Sequence, residues 1–334
     1  MNILITGAAG FIGSNFVRLA LSKGDSVIAY DKLEYAGNPT DFGSFSRNLF
    51  DVQLHSKFSF VKADVCDKLS LSRAVYGIDA VVHFAAESHV DRSLENPDLF
   101  FKINVGGTKN LFDCIKELSP DVRVLHVSTD EVYGSVLEGC ASEQSLFNPT
   151  SPYAKSKAEA DKLALSEGKN VVVTRSSNNF GPFQFPEKFI PLAAINLLLG
   201  EKIPVYGTGM NMRDWVFVDD NCDALYFVLK NGKAGQAYNV GGGNEKTNIA
   251  IAKKLVELCG KDDSYINFVA DRPNHDFRYA LSSEKLFSLG WQPKYTFEDA
   301  LKKTVEWYKT NKDWWEPLRS KRYTSINMPK VMHS

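Results

Sequence analysis

Short apolar runs alternate with amphipathic stretches through the first half of the chain. The apolar runs are rich in β-branched residues and cover residues 3–6, 26–30, 58–63, 80–86, 122–129 and 170–177. Apolar positions at helical spacing mark the stretches between them, at residues 12–23, 67–76, 98–118 and 152–167. Strands that are apolar on both faces and alternate with helices are typical of a parallel sheet covered on both sides. The pattern therefore predicts a doubly wound, Rossmann-like α/β fold.

The pattern becomes looser after residue 177. Residues 178–182 are rich in turn-forming residues. Shorter elements follow, with helices at 188–200, 219–230, 247–259 and 297–310 and strands at 203–206 and 237–240. We expect a Rossmann-like domain at 1–177, a smaller α+β lobe at 178–317 with some segments returning to the sheet, and a weakly patterned tail at 318–334. The cleft between the two lobes is the expected ligand site.

Composition and charge exclude several classes of protein. The 334 residues carry 39 basic and 40 acidic side chains, which argues against a nucleic-acid-binding protein. The chain contains no run of 18 apolar residues, so no membrane span is predicted, and we expect no secretory signal from its first residues. The five cysteines are scattered and never spaced CxxC, so we expect a cytoplasmic protein without disulfides. The histidines show no metal-ligand spacing, and no metal is expected.

A glycine-rich loop joins the first predicted strand to the first helix. Gly7, Gly10 and Gly13 form the pattern GxxGxxG. In such a loop the first glycine permits the tight turn, the second lets the backbone approach a pyrophosphate, and the third lets the helix pack on the strand. The free N–H groups of the helix start, which includes Phe11 and Ile12, would then face the anion. The loop predicts a dinucleotide-binding site.

An acidic residue at the end of the second strand sharpens this prediction. Asp31 can accept hydrogen bonds from both ribose hydroxyls of an adenosine and would repel a 2′-phosphate, which favours NAD over NADP. Lys32, which follows it, argues slightly against this choice, and Leu33 belongs to the same segment. After the third strand, Asp64 and Val65 could meet the adenine. Equally, Asp64 could cap the next helix.

Residues 151–157 contain the pattern YxxxK. Tyr153 and Lys157 share one helix face, since they lie four residues apart. A lysine ammonium and a positively charged nicotinamide would favour the phenolate, which could then remove the proton of a sugar hydroxyl. The spacing indicates an oxidoreductase-type step at a substrate carbinol.

Two adjacent carboxyl groups follow the fifth apolar run. Thr129, Asp130 and Glu131 should lie outside the carboxyl end of a strand, where open α/β sheets bind ligands. Both acids can face the cleft only if the backbone turns there, and Gly134 suggests such a turn. Two carboxyl groups beside one substrate can act as protonated acid and ionised base. A solvated turn with a helix cap is the alternative interpretation.

These motifs resemble the extended short-chain dehydrogenase/reductase superfamily and, more closely, its dTDP-glucose 4,6-dehydratases. The resemblance runs from residue 1 to about residue 310 and rests on residues 31–38, 83–93, 128–134, 177–188, 213–215 and 272–276. Its most specific part is the triplet Thr129-Asp130-Glu131. Epimerases and decarboxylases of the superfamily generally lack this acidic pair.

The resemblance implies a three-step lyase reaction with no net redox change. Tyr153, helped by Thr129 and Lys157, would take the proton of the 4-hydroxyl during oxidation at C4. Glu131 would remove the C5 proton while Asp130 protonates the departing 6-hydroxyl, and hydride would return to C6. Asp130 must be protonated to act, so its pKa should lie well above the reference value, raised by Glu131 and burial.

The resemblance also assigns binding residues. Ala85, Ala86, Ser177 and Asn179 would contact NAD. The nucleotide-diphosphate-glucose substrate would be contacted by Glu87, Ser88, Asn178, Lys188, Phe189, Pro204, Tyr206, Arg213, Asn248, Arg272 and His275. Two of these have structural alternatives, Arg213 as a surface ion-pair partner and His275 as a turn residue. A homodimer is implied, with residues 98–118 and 152–167 pairing across the interface.

Some features depart from the family or leave alternatives open. Asn274 stands where glycine is usual, and the insertion at 41–56 is unfamiliar. UDP-glucose 4,6-dehydratases share the catalytic triplet, so the choice between dTDP and UDP stays open. A 4-epimerase or decarboxylase on the same scaffold, or a catalytically idle dinucleotide sensor, are the competing functions.

Overall fold

Seven parallel strands form the central sheet of the protein. The structure is a computed structural model that describes residues 1–40, 43–271 and 276–322. The strands of the sheet are β1 (Asn2–Thr6), β2 (Ser26–Asp31), β3 (Phe58–Lys62), β4 (Ala80–His83), β5 (Arg123–Thr129), β6 (Val171–Ser176) and β11 (Gln236–Val240). Their order is β11-β6-β5-β4-β1-β2-β3. The chain changes direction across the sheet between β1 and β4, and this switch point opens a crevice for ligands.

Helices cover both faces of the sheet. They are α1 (Phe11–Ser22), α2 (Lys68–Ala74), α3 (Val90–Glu95), α4 (Pro97–Phe100), α5 (Thr108–Leu118), α6 (Pro152–Glu167), α7 (Phe189–Leu198), α8 (Val218–Asn231), α9 (Asn248–Leu258), α10 (Glu284–Ser288), α11 (Phe297–Thr310) and α12 (Lys312–Arg322). A π-helical stretch, Phe101–Gly107, joins α4 to α5.

Alternate residues of each strand enter different cores. On β1, Ile3 and Ile5 pack with α1 and α8, whereas Leu4 packs on the opposite face with α2 and α5. On β5, Leu125 and Val124 divide in the same way. Side chains alternate between the faces of a strand, so a strand buried on both sides must be apolar throughout. This explains why the apolar runs of the sequence predicted a doubly wound sheet, and the structure confirms that fold.

The second half of the chain contributes to both lobes. β11 pairs in parallel with β6, with Val240 opposite Ser176, so the chain returns to the main sheet after residue 178. Small sheets make up the remaining lobe, from β7 (Asn178–Phe180) with β10 (Trp215–Phe217), β8 (Ile203–Tyr206) with β13 (Ile266–Val269), and β9 (Met212–Arg213) with β12 (Lys246–Thr247) and β14 (Arg278–Tyr279).

Three sequence predictions need correction. The predicted helix at 98–118 is interrupted by the π-helical stretch. The predicted turn at 178–182 begins as strand β7, because Asn178, Asn179 and Phe180 pair in parallel with the apolar strand β10. The predicted tail from residue 318 begins inside α12, which contains Pro317 and continues to Arg322; residues 323–334 lie outside the described part. Within the described ranges, no helix combines the length and apolarity needed to cross a membrane.

Candidate active site

A pocket runs along the carboxyl ends of the strands at the switch point. Thirteen of the predicted cofactor residues line it, namely Gly7, Gly10, Phe11, Ile12, Gly13, Asp31, Lys32, Asp64, Val65, Ala85, Ala86, Tyr153 and Lys157. Of the predicted substrate residues, Glu87, Ser88 and Lys188 line it as well. The glycine loop, the strand-end acid and the YxxxK helix therefore meet in one continuous site.

The glycine loop is shaped for close approach of a ligand. Gly7 has a φ of +69°, and a Cβ atom there would lie 2.7 Å from the Ala85 nitrogen. No side chain caps the start of α1 at Gly10. The N–H groups at that helix start therefore face the pocket as an anion site.

Asp31 is fixed at the end of β2 by two backbone N–H groups. Its Oδ2 accepts from the Ala9 N–H at 2.9 Å and its Oδ1 from the Leu33 N–H at 2.8 Å. Burial raises the pKa of Asp31, and these two hydrogen bonds oppose the rise. Leu33, predicted to contact the cofactor, is buried with a φ of +62° and shapes the turn without lining the pocket.

Asp64 satisfies part of each interpretation offered by the sequence. It lines the pocket, and its Oδ2 lies 3.2 Å from Lys32 Nζ. Its Oδ1 accepts from the Cys66 N–H at 2.9 Å, but the N-cap of α2 is Asp67. Asp64 therefore fixes the turn before the helix, and its other oxygen holds Lys32 at the pocket.

A pair of carboxyl groups lies at the pocket wall. Glu34 and Glu87 share a side-chain hydrogen bond. Lys32 lies 2.6 Å from Glu34 and lowers its pKa, whereas burial and the neighbouring Glu34 raise the pKa of Glu87 to about 7. Asn104 holds the backbone of Glu87, accepting from its N–H at 2.8 Å and donating to its carbonyl at 3.0 Å. Glu87 is thus a carboxyl group that can keep its proton near neutral pH.

A neutral histidine lies beneath the pocket. The Thr108 hydroxyl donates to the Asn104 carbonyl at 2.6 Å, so it must accept from His83 Nε2–H at 3.0 Å. Nδ1 of His83 therefore accepts from the Thr6 hydroxyl at 2.6 Å. Burial, followed by the charge of Lys157, lowers the pKa of His83 to about 3. His83 is consequently uncharged at neutral pH.

The YxxxK pair is buried on α6. Lys157 Nζ donates to the Val127 carbonyl at 2.7 Å, and burial lowers the pKa of Lys157 to about 8. The hydroxyl of Tyr153 shares a hydrogen bond with Thr129. Burial and the charge of Glu131 raise the pKa of Tyr153 far above its usual value. The phenol therefore holds its proton until a positive charge is brought close to it.

The backbone turns at the end of β5, as the sequence predicted. Residues Asp130–Tyr133 form a 3-10 turn that ends at Gly134, whose φ is +71°. Thr129 Oγ1 donates to Asp130 Oδ1 at 3.2 Å and accepts from the Glu131 N–H at 3.3 Å. Thr129 therefore contacts Tyr153, Asp130 and the Glu131 backbone together.

Asp130 is buried, and one of its two carboxyl oxygens is available to hydrogen-bond a ligand. It is 4% exposed, and its Oδ2 has no hydrogen-bond partner among the described residues. Burial first, and Glu131 second, raise its pKa well above the usual range, in the direction the sequence predicted; Asp214 adds to the rise and Arg213 opposes it. Its surroundings thus favour the protonated form of Asp130.

Several predicted residues do not line the pocket that the described residues form. The triplet Thr129-Asp130-Glu131 follows Ser128, which lines the pocket, but is not itself part of the lining. Ser177 connects β6 to β7, Asn178 and Asn179 lie on β7, and Phe189 begins α7 among core residues. Pro204 and Tyr206 lie on β8, and Asn248 begins α9. Arg272 and His275 fall outside the described residues.

The burial of Arg213 excludes one of its two predicted interpretations, and the predicted substrate contact stays a prediction. It is 5% exposed, so it is no surface ion-pair partner. Its guanidinium donates to the carbonyls of Met212, Asp276 and Phe277 at 2.7–3.2 Å and stacks 4.4 Å from the ring of Tyr279. It lies close enough to Asp130 to lower the pKa of that carboxyl group.

Sequence reasoning missed part of the pocket wall. The missed residues include Glu34, Gly37, Phe84, Ile103, Ser128, Gln184, Phe185 and Glu187. Several of them lie inside segments that carried the resemblance, at 31–38 and 177–188, so the signal was present at the level of the segment. Ile103, from the π-helical stretch, had no such signal.

Known proteins resemble this chain over nearly its whole length. The family model for GDP-mannose 4,6 dehydratase matches residues 4–304. A dTDP-glucose 4,6-dehydratase of Streptomyces niveus is 45% identical over 331 residues, covering 96% of each chain. The dTDP-glucose 4,6-dehydratase 1 of Escherichia coli K12 is 43% identical, covering 97% of each.

Solved structures extend the likeness to three dimensions. A double mutant of DesIV, a dTDP-glucose 4,6-dehydratase from Streptomyces venezuelae with NAD and DAU bound, is 45% identical with a TM-score of 0.89, over 95% of this chain and 100% of that one. A UDP-glucose 4-epimerase from Thermus thermophilus with NAD bound is 30% identical with a TM-score of 0.82, over 93% and 100%.

Proposed function

This chain belongs to the dTDP-glucose 4,6-dehydratase family, and we propose that dTDP-glucose is the substrate it converts to the 4-keto-6-deoxy sugar nucleotide and water. The chain is an NAD-dependent nucleotide-sugar 4,6-dehydratase, a hydro-lyase. The observation that carries the assignment of roles is the buried Asp130, with Oδ2 free of partners in the described structure, beside Glu131 and the Thr129–Tyr153 pair.

The residues present fit a bound dinucleotide. Gly7 is so close to Ala85 that a side chain could not be accommodated, and the helix start behind it has no side-chain cap. Asp31 keeps lone pairs for ribose hydroxyls, because each of its oxygens accepts one backbone hydrogen bond. When bound, NAD supplies the hydride acceptor for C4 and the hydride donor for C6.

Tyr153 is the proposed base for the 4-hydroxyl proton. Its raised pKa means that a nearby positive charge is required before it can act at neutral pH. Lys157, one helical turn away, carries its proton at neutral pH, since its pKa is about 8, but its charge is already present in the structure. The additional positive charge would be that of the nicotinamide ring when NAD is bound. Thr129 hydrogen-bonds the phenol and orients it.

Asp130 and Glu131 are the proposed acid and base of the elimination. Glu131 removes the C5 proton, which the neighbouring 4-ketone acidifies. Asp130 donates its proton to the 6-hydroxyl, which leaves as water. The different surroundings of the two carboxyl groups divide the roles, because only a carboxyl group that stays protonated at neutral pH can protonate a leaving group.

The acidic pair favours elimination over epimerisation. Removal of hydride at C4 and its return to the opposite face of C4 requires no acid and base at C5 and C6. Burying one carboxyl group beside another costs folding free energy, so a pair kept at that cost indicates a chemical role. The epimerase and the idle sensor are therefore the weaker hypotheses for this chain.

Incubation with dTDP-glucose and, separately, UDP-glucose tests the proposal by NMR of the products. We expect the 4-keto-6-deoxy product from dTDP-glucose. If only UDP-glucose gives that product, the substrate is UDP-glucose and not dTDP-glucose. A galactose or pentose product would contradict the roles proposed for Asp130 and Glu131.

We also propose a homodimer formed through α5 and α6. Leu118, the last residue of α5, is 42% exposed, and Leu94, on the adjoining helix α3, is 53% exposed. Exposed leucines at these positions suit burial in an interface. Two copies would pair these helices by a two-fold axis. Light scattering should give twice the chain mass; the mass of one chain would contradict the proposal.

A further inference from the structure

A buried asparagine from the unfamiliar insertion contacts the glycine loop. Asn48 is 1% exposed, and its Nδ2 donates to the Ala9 carbonyl at 2.7 Å. The Ala9 N–H donates in turn to Asp31. The Ala9 residue is therefore held at both its N–H and its carbonyl, once by the strand-end acid and once by Asn48.

The other end of the Asn48 amide reaches the C-terminal helix. Its Oδ1 accepts from the indole N–H of Trp314, on α12, at 2.9 Å. Arg18, on α1, adds to the arrangement by donating to the Asn48 carbonyl and to both oxygens of Asp51 at 2.7 Å. The insertion is thereby fixed between the first and the last helix of the described chain.

Trp314 also packs against Phe183, which directly precedes the pocket-lining residues Gln184 and Phe185. Its ring lies 5.8 Å from that of Phe183 and 5.0 Å from that of Trp307, both in edge-to-face geometry. Phe183 has a φ of +66°, which is strained for a residue with a bulky side chain. Arg18, 3.8 Å from the ring centroid, covers its other side.

The strained residue directs the next part of the chain into the pocket. Gln184 and Phe185 follow Phe183 and line the pocket, and the Gln184 carbonyl accepts from the Tyr308 hydroxyl at 2.5 Å. Trp314 thus contacts Asn48, which holds the glycine loop, and Phe183, which precedes the pocket wall formed by residues 184–188.

We propose that Asn48 and Trp314 are positioning residues, which hold the glycine loop in its dinucleotide-binding conformation and make α12 part of the cofactor site. The proposal rests on the proposed function only in taking NAD as the ligand. The Asn48 amide has two longer hydrogen bonds besides, with Asn38 at 3.3 Å and the Ala36 carbonyl at 3.4 Å. Loss of the shorter Trp314 hydrogen bond therefore loosens, without freeing, the amide that restrains the Ala9 carbonyl. The loop must then be ordered when the dinucleotide binds, which weakens affinity.

Trp314→Phe tests this by removing the indole N–H while keeping an aromatic ring. Trp315→Phe is the matched control, because Trp315 lies on the same helix and its N–H donates to the Tyr308 carbonyl at 2.6 Å, not to Asn48. Titration calorimetry of NAD binding to protein stripped of dinucleotide should show affinity about 3- to 10-fold weaker for Trp314→Phe and unchanged for Trp315→Phe.

Asn48→Ala completes a double-mutant cycle. The single variant should weaken NAD binding at least as much, and adding Trp314→Phe to it should weaken binding no further. Thermal melting of each variant reports folding separately from binding. Additive effects, equal loss in Trp315→Phe, or unchanged affinity in Trp314→Phe would overturn the proposal.

The calorimetric test does not depend on turnover. A wild-type protein that binds NAD without making a ketosugar would remove the proposed function while leaving the cycle to decide this inference. Normal turnover of the wild-type protein with unchanged NAD affinities in the variants would retain the proposed function and overturn this inference.

Discussion

Asp31 and Asp130 lie in similar places but in opposite chemical surroundings. Asp31 ends β2 and Asp130 follows β5, so both are at the carboxyl edge of the same sheet. Burial raises the pKa of each. At Asp31 two backbone N–H groups oppose the rise, whereas at Asp130 the charges of Glu131 and Asp214 add to it.

The difference shows how one sheet edge can bind at one end and carry out acid chemistry at the other. A strand end brings a carboxyl group to the ligand. The hydrogen-bond donors and charges around it then decide whether it accepts hydrogen bonds as an anion or donates a proton as an acid. Under the proposed function, the Asp31 end binds the dinucleotide and the Asp130 end transfers protons.

The largest expected effect comes from the acid–base pair. Asp130→Asn and Glu131→Gln should each lower kcat about 10²- to 10⁴-fold, because each removes one proton-transfer group, and leave the Kd of NAD unchanged. NMR in D₂O separates the two roles. Glu131→Gln should abolish deuterium exchange at C5, and Asp130→Asn should retain exchange without releasing water.

Full turnover in Asp130→Asn would show that the two sheet ends do not differ in the proposed way. Loss of NAD affinity in that variant would show the same.

Asp31→Asn should have the next largest effect and the opposite signature. Loss of the anion should weaken NAD binding about 10- to 100-fold, since charge-assisted hydrogen bonds to the ribose are lost, and should narrow the preference over NADP. Calorimetry with both dinucleotides measures this, with Asp130→Asn as the control. A fall in kcat at saturating NAD, with Kd unchanged, would contradict the comparison.

Lys157 should make stability depend on alkaline pH. Its pKa falls from 10.5 to about 8 on folding, so between these values the folded protein binds fewer protons than the unfolded chain. Its contribution to the free energy of unfolding therefore rises with pH over that window, by about 1–3 kcal/mol. Denaturant unfolding at several pH values, compared with Lys157→Met, should show this difference. Parallel curves for the two proteins would rule it out.

Glu87 should give the smallest effect, of opposite sign. Its pKa rises from 4.5 to about 7 on folding, so the folded protein binds more protons between these values, and its contribution to stability falls as pH rises through them. Glu87→Gln should gain about 1 kcal/mol relative to wild type across this window, after allowance for solvent screening. Melting temperatures at pH 5 and pH 8 would measure the gain. If the difference in melting temperature between the variant and the wild type is the same at both pH values, the raised pKa does not belong to Glu87.

The parts of the site that depend on short segments could be predicted from the sequence. The glycine loop, Asp31 and the Tyr153–Lys157 pair each rely on spacing along one strand or helix, and parallel strands bring their carboxyl ends together. Even the turn after Thr129 was indicated by Gly134. Arg213 was harder, because its burial against Tyr279 depends on a strand pairing that no local pattern records.

The sequence by itself determined the doubly wound sheet, the glycine loop and the placement of Tyr153 and Lys157 on one helix, because apolar periodicity and short spacings fix local structure. The raised pKa of Asp130 was expected from burial and Glu131, but the tertiary structure alone added the charge of Asp214, which comes from a distant segment. It also placed Trp314 on Asn48 across 266 residues of chain. Burial and contacts of this kind depend on which distant segments pack together, and no local pattern in the chain encodes them.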